Sequence, residues 1–189
     1  EINYHPHNPS AEESAAIPGV VSDDFEFIEI YNVEPNTTVP LANKSLSGAV
    51  QFTFPDVRLN PGEYAVVVEN TAAFRQRYGT SVPILGEWSG RLSNDGERIT
   101  LAHSTGTPLV DFTYDDDKLW PWQSDGHGAT LELISPANTP SDDFGRFDRW
   151  QGSISVGGSP GSAGPASVGV MINEVLTRTS GSDLDAIEL

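Results

Sequence analysis

The sequence predicts an all-β protein, a Greek-key β-sandwich of short strands with one short helix. Three observations point there. Gly 18 and Pro 14 punctuate the 189 residues at short intervals, which suits strands and turns and leaves no room for long helices. Apolar residues either alternate with polar ones or form brief continuous runs, as strands of a sandwich require. Hydrophobic residues make up 37% and aromatics 9%, enough to build a packed core.

The opening, Glu1-Ile2-Asn3-Tyr4-His5-Pro6-His7-Asn8-Pro9, reads as a short strand entering a proline-broken loop, and Ser10 to Gly19 reads as loop by composition. Phe25 to Tyr31 is the first strong strand, with two acids among apolar residues. Val50-Gln51-Phe52-Thr53-Phe54 alternates with period two, which puts Val50, Phe52 and Phe54 on one face until Pro55 ends the strand. Leu59-Asn60-Pro61-Gly62-Glu63 carries Pro and Gly where a type II turn needs them. Tyr64 to Val68 is continuously apolar and reads as a central strand.

Thr71 to Tyr78 is the one predicted helix, with Thr71 as N-cap, Gly79 as the stop, and Phe74 and Tyr78 one helical step apart. Leu92 to Leu101 reads as a hairpin around Asn94-Asp95-Gly96. Leu109 to Tyr114 and Ala129 to Ile134 are two more strands. Between them lies a long segment carrying Trp120, Trp122 and the turn Asp125-Gly126.

Gly157 to Pro165 has the composition of a linker. Beyond it Glu174-Val175 repeats Glu1-Ile2, and Asp185-Ala186-Ile187-Glu188-Leu189 repeats Glu26-Phe27-Ile28-Glu29-Ile30. The expected organisation is a domain over 1–163, a linker over 164–170 and, over 171–189, the first strands of a second, truncated copy. The parent protein is expected to carry such modules in tandem. Strand pairing through residues 168–189 follows, either with an edge of the same domain or with a neighbouring molecule.

The formal charge of −17 repels phosphate backbones and anionic lipid surfaces, so neither nucleic acid nor a membrane surface is an expected partner. With no cysteine, there are no disulfides, thiolate metal sites or cysteine nucleophiles. No run of 18 apolar residues occurs, so direct membrane insertion is not expected. An extracellular or cell-envelope location is expected, with any signal or anchor outside this stretch.

Several motifs together resemble the lamin-tail domain family. They are Glu1-Ile2-Asn3-Tyr4-His5-Pro6, Phe25 to Asn32, Leu59-Asn60-Pro61-Gly62-Glu63-Tyr64 and Gly90-Arg91-Leu92-Ser93-Asn94-Asp95-Gly96-Glu97. Tyr114, Trp120-Pro121, Asp125-Gly126-His127-Gly128, Leu131-Glu132-Leu133 and Gly158-Ser159-Pro160-Gly161 follow in the family's order. The resemblance implies an immunoglobulin-like sandwich, and the Tyr-His-Pro opening with the acidic balance is closer to the bacterial exported members than to nuclear lamins. Gln151 after Trp150, where a basic residue is common, departs from the pattern, as does the lack of an asparagine after Gly161. The resemblance carries no catalytic residue.

The residues themselves leave chemistry open at few places. His5 and His7 flank Pro6, and with Asp23 and Asp24 they are the residue types of a metal site; the plainer reading has both histidines capping loop backbone. Asp115 and Asp117, with Asp116 between them, and Asp142, Asp143 and Asp148 are oxygen donors suited to a structural calcium. No Asp-x-Asp-x-Asp-Gly loop is present, and no cofactor is expected. Glu26 and Glu29 fall on opposite strand faces and form no carboxylate dyad; a partly buried Glu29 is expected to pair with Arg91 or Arg98.

Ser93, His103 and His127 lack the Gly-x-Ser-x-Gly context of a nucleophile. Trp120 and Trp122 share one side of an extended segment, either as a lid on the core or as a platform for a sugar or a partner. A non-enzymatic module for adhesion, anchoring or spacing is therefore expected in a multidomain exported protein, with proteins or cell-surface material as partners. A glycan-binding appendage targeting an attached enzyme is the alternative. An intracellular scaffold module, as in nuclear lamins, is a third.

Overall fold

The computed structural model describes residues 1–117 and 119–165, with the strand backbones Glu174–Leu176 and Ala186–Glu188. In chain order the strands are β1 (Ile2–Asn3), β2 (Phe27–Tyr31), β3 (Val39–Pro40), β4 (Ser45–Gly48), β5 (Val50–Thr53), β6 (Arg58–Leu59) and β7 (Tyr64–Val68). Then come β8 (Ile84–Glu87), β9 (Ser89–Gly90), β10 (Glu97–Ala102), β11 (Pro108–Tyr114), β12 (Leu131–Leu133) and β13 (Trp150–Gly152), followed by β14 (Glu174–Leu176) and β15 (Ala186–Glu188). The helices are α1 (Ala11–Ala16) and α2 (Thr71–Tyr78).

Two sheets form an immunoglobulin-like sandwich. The first has six strands in the order β13-β12-β1-β2-β7-β8, and the second five in the order β11-β10-β4-β5-β9. All pairs in them are antiparallel except β7 with β8. Ile2, Ile28, Val67 and Leu131 from the first sheet meet Leu46, Val50 and Ile99 from the second, closed at the ends by Tyr4, Phe54, Tyr114, Trp120 and Trp150.

The other face of β2 and β7 is also covered. Phe27, Val66 and Val68 pack under Phe74 of α2 and Val82 in a second small core. Burial on both faces explains why Tyr64 to Val68 reads as an unbroken apolar run.

Local chemistry explains the differences from the sequence reading. Ser10 to Gly19, expected as loop, contains α1: Ser10 Oγ accepts from the Glu13 amide at 3.1 Å and Glu13 Oε2 accepts from the Ser10 amide at 2.7 Å. The first strong strand starts at Phe27, because Ser22–Phe25 forms a 3-10 turn. Helix α2 stands where predicted, but its cap is Asn70, whose Oδ1 accepts from the Ala72 and Ala73 amides at 3.0 and 3.1 Å.

The hairpin expected over Leu92 to Leu101 does not form. Strand β10 pairs with β4 and β11, leaving no edge for the segment before Asn94. That turn instead carries the chain from β9 to β10, and the true hairpin joins β10 to β11. Tyr114 braces the turn, donating its hydroxyl to the Ser93 carbonyl at 2.8 Å.

Candidate functional site

Glu1, Glu29 and Glu132 lie on neighbouring strands of the first sheet and face outward on one side. The Gly158-Ser159-Pro160-Gly161 turn sits on them. Glu29 Oε1 accepts from the Gly161 amide at 2.6 Å, Glu132 Oε1 accepts from Ser159 Oγ at 3.2 Å, and Glu1 accepts from the Ser159 amide at 3.2 Å and from Thr130 Oγ1 at 3.0 Å. The turn, linker-like in composition, is thus bonded to this sheet. Gly158 has φ +82°, and a Cβ there would stand 1.8 Å from Glu1 Oε1, so no larger residue fits.

Burial pushes the Glu1 carboxyl up to about 7, helped by repulsion from Glu29 and Glu132 and opposed by the α-amino group and the Thr130 hydroxyl. Burial also raises Glu29, against the pull of the amino terminus and the Gly161 amide. Glu29 was expected to pair with an arginine. Instead Arg91 pairs with Asp23 at 2.9 Å and Arg98 pairs with Asp111, and the Glu29 carboxylate takes the Gly161 amide.

Beside these carboxylates a cleft of about 660 Å³ opens into the sandwich. Its walls are β2 with Ile30, Tyr31 and Val33, and β12 with Leu133, Ile134 and Pro136. Leu46, Ile99, Leu101, Val110 and Phe112 of the second sheet form its floor. Ile2 pairs with both Ile28 and Leu131, and β2 and β12 extend past the position of Glu1.

Hydrogen-bond alternation decides which groups face the gap. The Glu29 amide donates to the Glu1 carbonyl at 2.8 Å and the Asn32 amide donates to Glu63 on the other side, so Tyr31 turns its N–H and C=O into the gap. The Ile134 amide donates to Arg149 at 3.0 Å, so Leu133 turns its own pair in from the opposite wall. Among the described residues the strand registers on that side pair Ile2 with Ile28 and Leu131 and extend to neither Tyr31 nor Leu133. Val33 and Ile134 stand exposed at the mouth.

The residues singled out in the sequence sit elsewhere and do not converge. His5 Nδ1 lies 2.7 Å from Asp125 Oδ1, while His7 Nδ1 lies 2.8 Å from the carbonyl of Asn8. Asp23 holds Arg91, and Asp24 accepts from the Val21 amide and the Asn70 side chain. Asp115 Oδ1 accepts from the Asp116 and Asp117 amides, and Asp117 Oδ1 from that of Leu119. Among the described residues no group of three or more His, Asp or Glu side chains is arranged to hold a metal ion. The two tryptophans part company: Trp120 is 8% exposed and tilts against Trp150, whereas Trp122 is 64% exposed with His127 edge-on beside it.

A family model described as Lamin Tail Domain matches residues 1–116. The chain belongs to the lamin tail domain family. No curated protein matches it. Lamin tail domains are immunoglobulin-like and generally take part in protein interactions. In this lamin tail domain the matched stretch supplies β1, β2 and the second sheet, while β12, the other wall of the cleft, comes after it. The cleft had no motif to announce it.

Proposed function

We propose that this lamin tail domain is a non-catalytic module that makes protein contacts for adhesion, anchoring or spacing in a multidomain exported protein, with copies arranged in tandem. The observation that carries the tandem reading is a register. Strands β14 and β15 pair with Val175 opposite Ile187 and Leu176 opposite Ala186. Strands β1 and β2 pair with Ile2 opposite Ile28 and Asn3 opposite Phe27. The sequence match lays Val175 on Ile2 and Ile187 on Ile28, so the second pair repeats the first residue for residue. This supports a domain over 1–163 followed by a linker and the start of another copy at 171–189.

A net charge of −17 suits a soluble module outside the cell or in its envelope. One observation favours a second reading: the exposed Trp122 offers an indole face to a sugar ring. Trp120 adds nothing to it, being buried, so a two-indole platform is absent from this face.

The test is bead capture of whole envelope material by the immobilised chain, beside Trp122→Ala. The material is treated with protease or with glycosidase, and a glycan array runs in parallel. Capture that is lost after protease and unchanged in Trp122→Ala supports protein contact. Capture that survives protease, falls after glycosidase and disappears in Trp122→Ala replaces it with glycan binding.

A further inference from the structure

We propose that Asn36, in the loop between β2 and β3, is an N-glycosylation site that takes an oligosaccharide from a lipid-linked donor outside the cytoplasm. This rests on the exported-module reading and gives that module a modification site.

An asparagine can accept such a glycan when serine or threonine stands two positions on, with any residue but proline between. Of the ten asparagines in the chain, those of Asn36-Thr37-Thr38 and Asn43-Lys44-Ser45 meet this pattern, and Asn8-Pro9-Ser10 is ruled out by its proline. The fold separates the two. Ser45 opens β4 and pairs with Thr53 on one side and Ala102 on the other, so a transferase reaches Asn43-Lys44-Ser45 only by pulling β4 from the second sheet. Asn43 itself is held at φ +58°, with its amide donating to the Phe54 carbonyl at 3.2 Å.

Asn36 is presented instead. The buried Asn32 ties down the loop from below: its Nδ2 donates to the carbonyls of Thr37 and Leu59, each at 2.9 Å, and its Oδ1 accepts from the Glu34 amide at 3.0 Å. Above those bonds Glu34, Pro35, Asn36 and Thr37 are all exposed and lie outside every strand and helix. Among the described residues the Asn36 side chain has no hydrogen-bond partner, and the Thr38 hydroxyl bonds to Asn60 Oδ1 at 3.1 Å on the surface. Carboxamide and hydroxyl are thus both within reach of an enzyme while the sandwich stays folded.

In the transfer, Asn36 Nδ2 forms a bond to C1 of the first sugar. The bond from C1 to the donor's phosphate oxygen breaks, and the lipid phosphate leaves with the electron pair. One Nδ2 proton passes to a base of the transferase. The attached glycan is bulky and solvated, which suits a loop that packs against nothing above it.

The test is peptide mass spectrometry with electron-transfer fragmentation, run on the parent protein purified from the envelope and from the cytoplasm of the cells that make it. The envelope protein is expected to carry a sugar mass increment on Asn36. Asn36→Gln and Thr38→Ala are expected to abolish the increment, and Thr38→Ser, which keeps the hydroxyl, to retain it. Circular dichroism checks that the three variants remain folded.

A bare Asn36 in the envelope protein overturns the proposal and leaves the exported reading standing. Protein confined to the cytoplasm with Asn36 bare overturns both. An increment on Asn43 in place of Asn36, or one that survives Thr38→Ala, also overturns the proposal.

Discussion

Glu29 and Gly161, 132 positions apart, are joined by a 2.6 Å hydrogen bond from the Gly161 amide to the Glu29 carboxylate. This bond fastens the Gly158-Ser159-Pro160-Gly161 turn to β2, the strand that also walls the cleft. Glu29→Ala removes the acceptor of this exposed amide and is expected to destabilise the fold by roughly 0.5–1.5 kcal/mol in urea titration, while Glu29→Gln, which keeps an oxygen there, costs less. Gly158→Ala is expected to do at least as much damage as Glu29→Ala, because its new Cβ would strike Glu1 and its φ of +82° disfavours any side chain.

Glu26 makes stability fall with rising pH. It is fully buried, accepts from the Leu92 amide at 3.1 Å through Oε2, and leaves Oε1 without a protein partner. Burial pushes its carboxyl up to about 9, with Asp23 and Glu69 adding repulsion against the pull of the Leu92 amide and Arg91. The folded state therefore holds a proton that the unfolded chain, at its ordinary value of 4.5, releases. The contribution is fully present below that value and is lost progressively as pH rises through about 9. The slope is at most about 1.4 kcal/mol per pH unit. Glu26→Gln keeps an acceptor for Leu92 and is expected to flatten the unfolding free energy between pH 5 and 9; an unchanged slope would refute the assignment.

Arg77 joins α2 to α1 and to the Ser22–Phe25 turn. Its Nε donates to Glu13 at 2.8 Å, its guanidinium lies 3.4 Å from the centroid of the Phe25 ring, and both charged side chains are nearly buried. Arg77→Met strands the Glu13 carboxylate and is expected to cost about 3–5 kcal/mol. Arg98→Met breaks an exposed pair with Asp111 and is expected to leave the unfolding midpoint where it was. Hydrogen bonds from Arg77 hold Glu13 down at about 2, so its contribution is present above the ordinary value of 4.5 and is lost as pH falls through about 2.

Trp120→Ala is expected to lose about 3–5 kcal/mol as a core truncation, and Trp122→Ala less than about 0.5 kcal/mol, in the same denaturation assay. Addition of chelator is expected to leave the melting temperature of the chain unchanged. A fall of several degrees on chelation would support the calcium reading of the Asp115–Asp117 turn.

The fold was legible where one residue type answers to one physical demand. The continuous run at Tyr64 to Val68 marked a strand buried on both faces, and Gly79 marked the end of α2. Helix α1 was legible too, through Ser10 and Glu13 at capping-box spacing, but its small polar composition looked like loop. The hairpin at Leu92 was misplaced because turn residues show that a chain bends and not which strand it joins. The cleft was illegible for a different reason. It is made by backbone groups of Tyr31 and Leu133, which every residue carries, and by the register of three strands distant in sequence. Glu1, Glu29 and Glu132 meet only after those strands pair.

Bead capture of envelope material by the immobilised chain tests the protein-contact reading most directly. Capture that is lost when the material is treated with protease, and unchanged in Trp122→Ala, is the expected result. Capture that survives protease and disappears in Trp122→Ala would contradict the account, because the exposed indole and not a protein contact would then carry the binding.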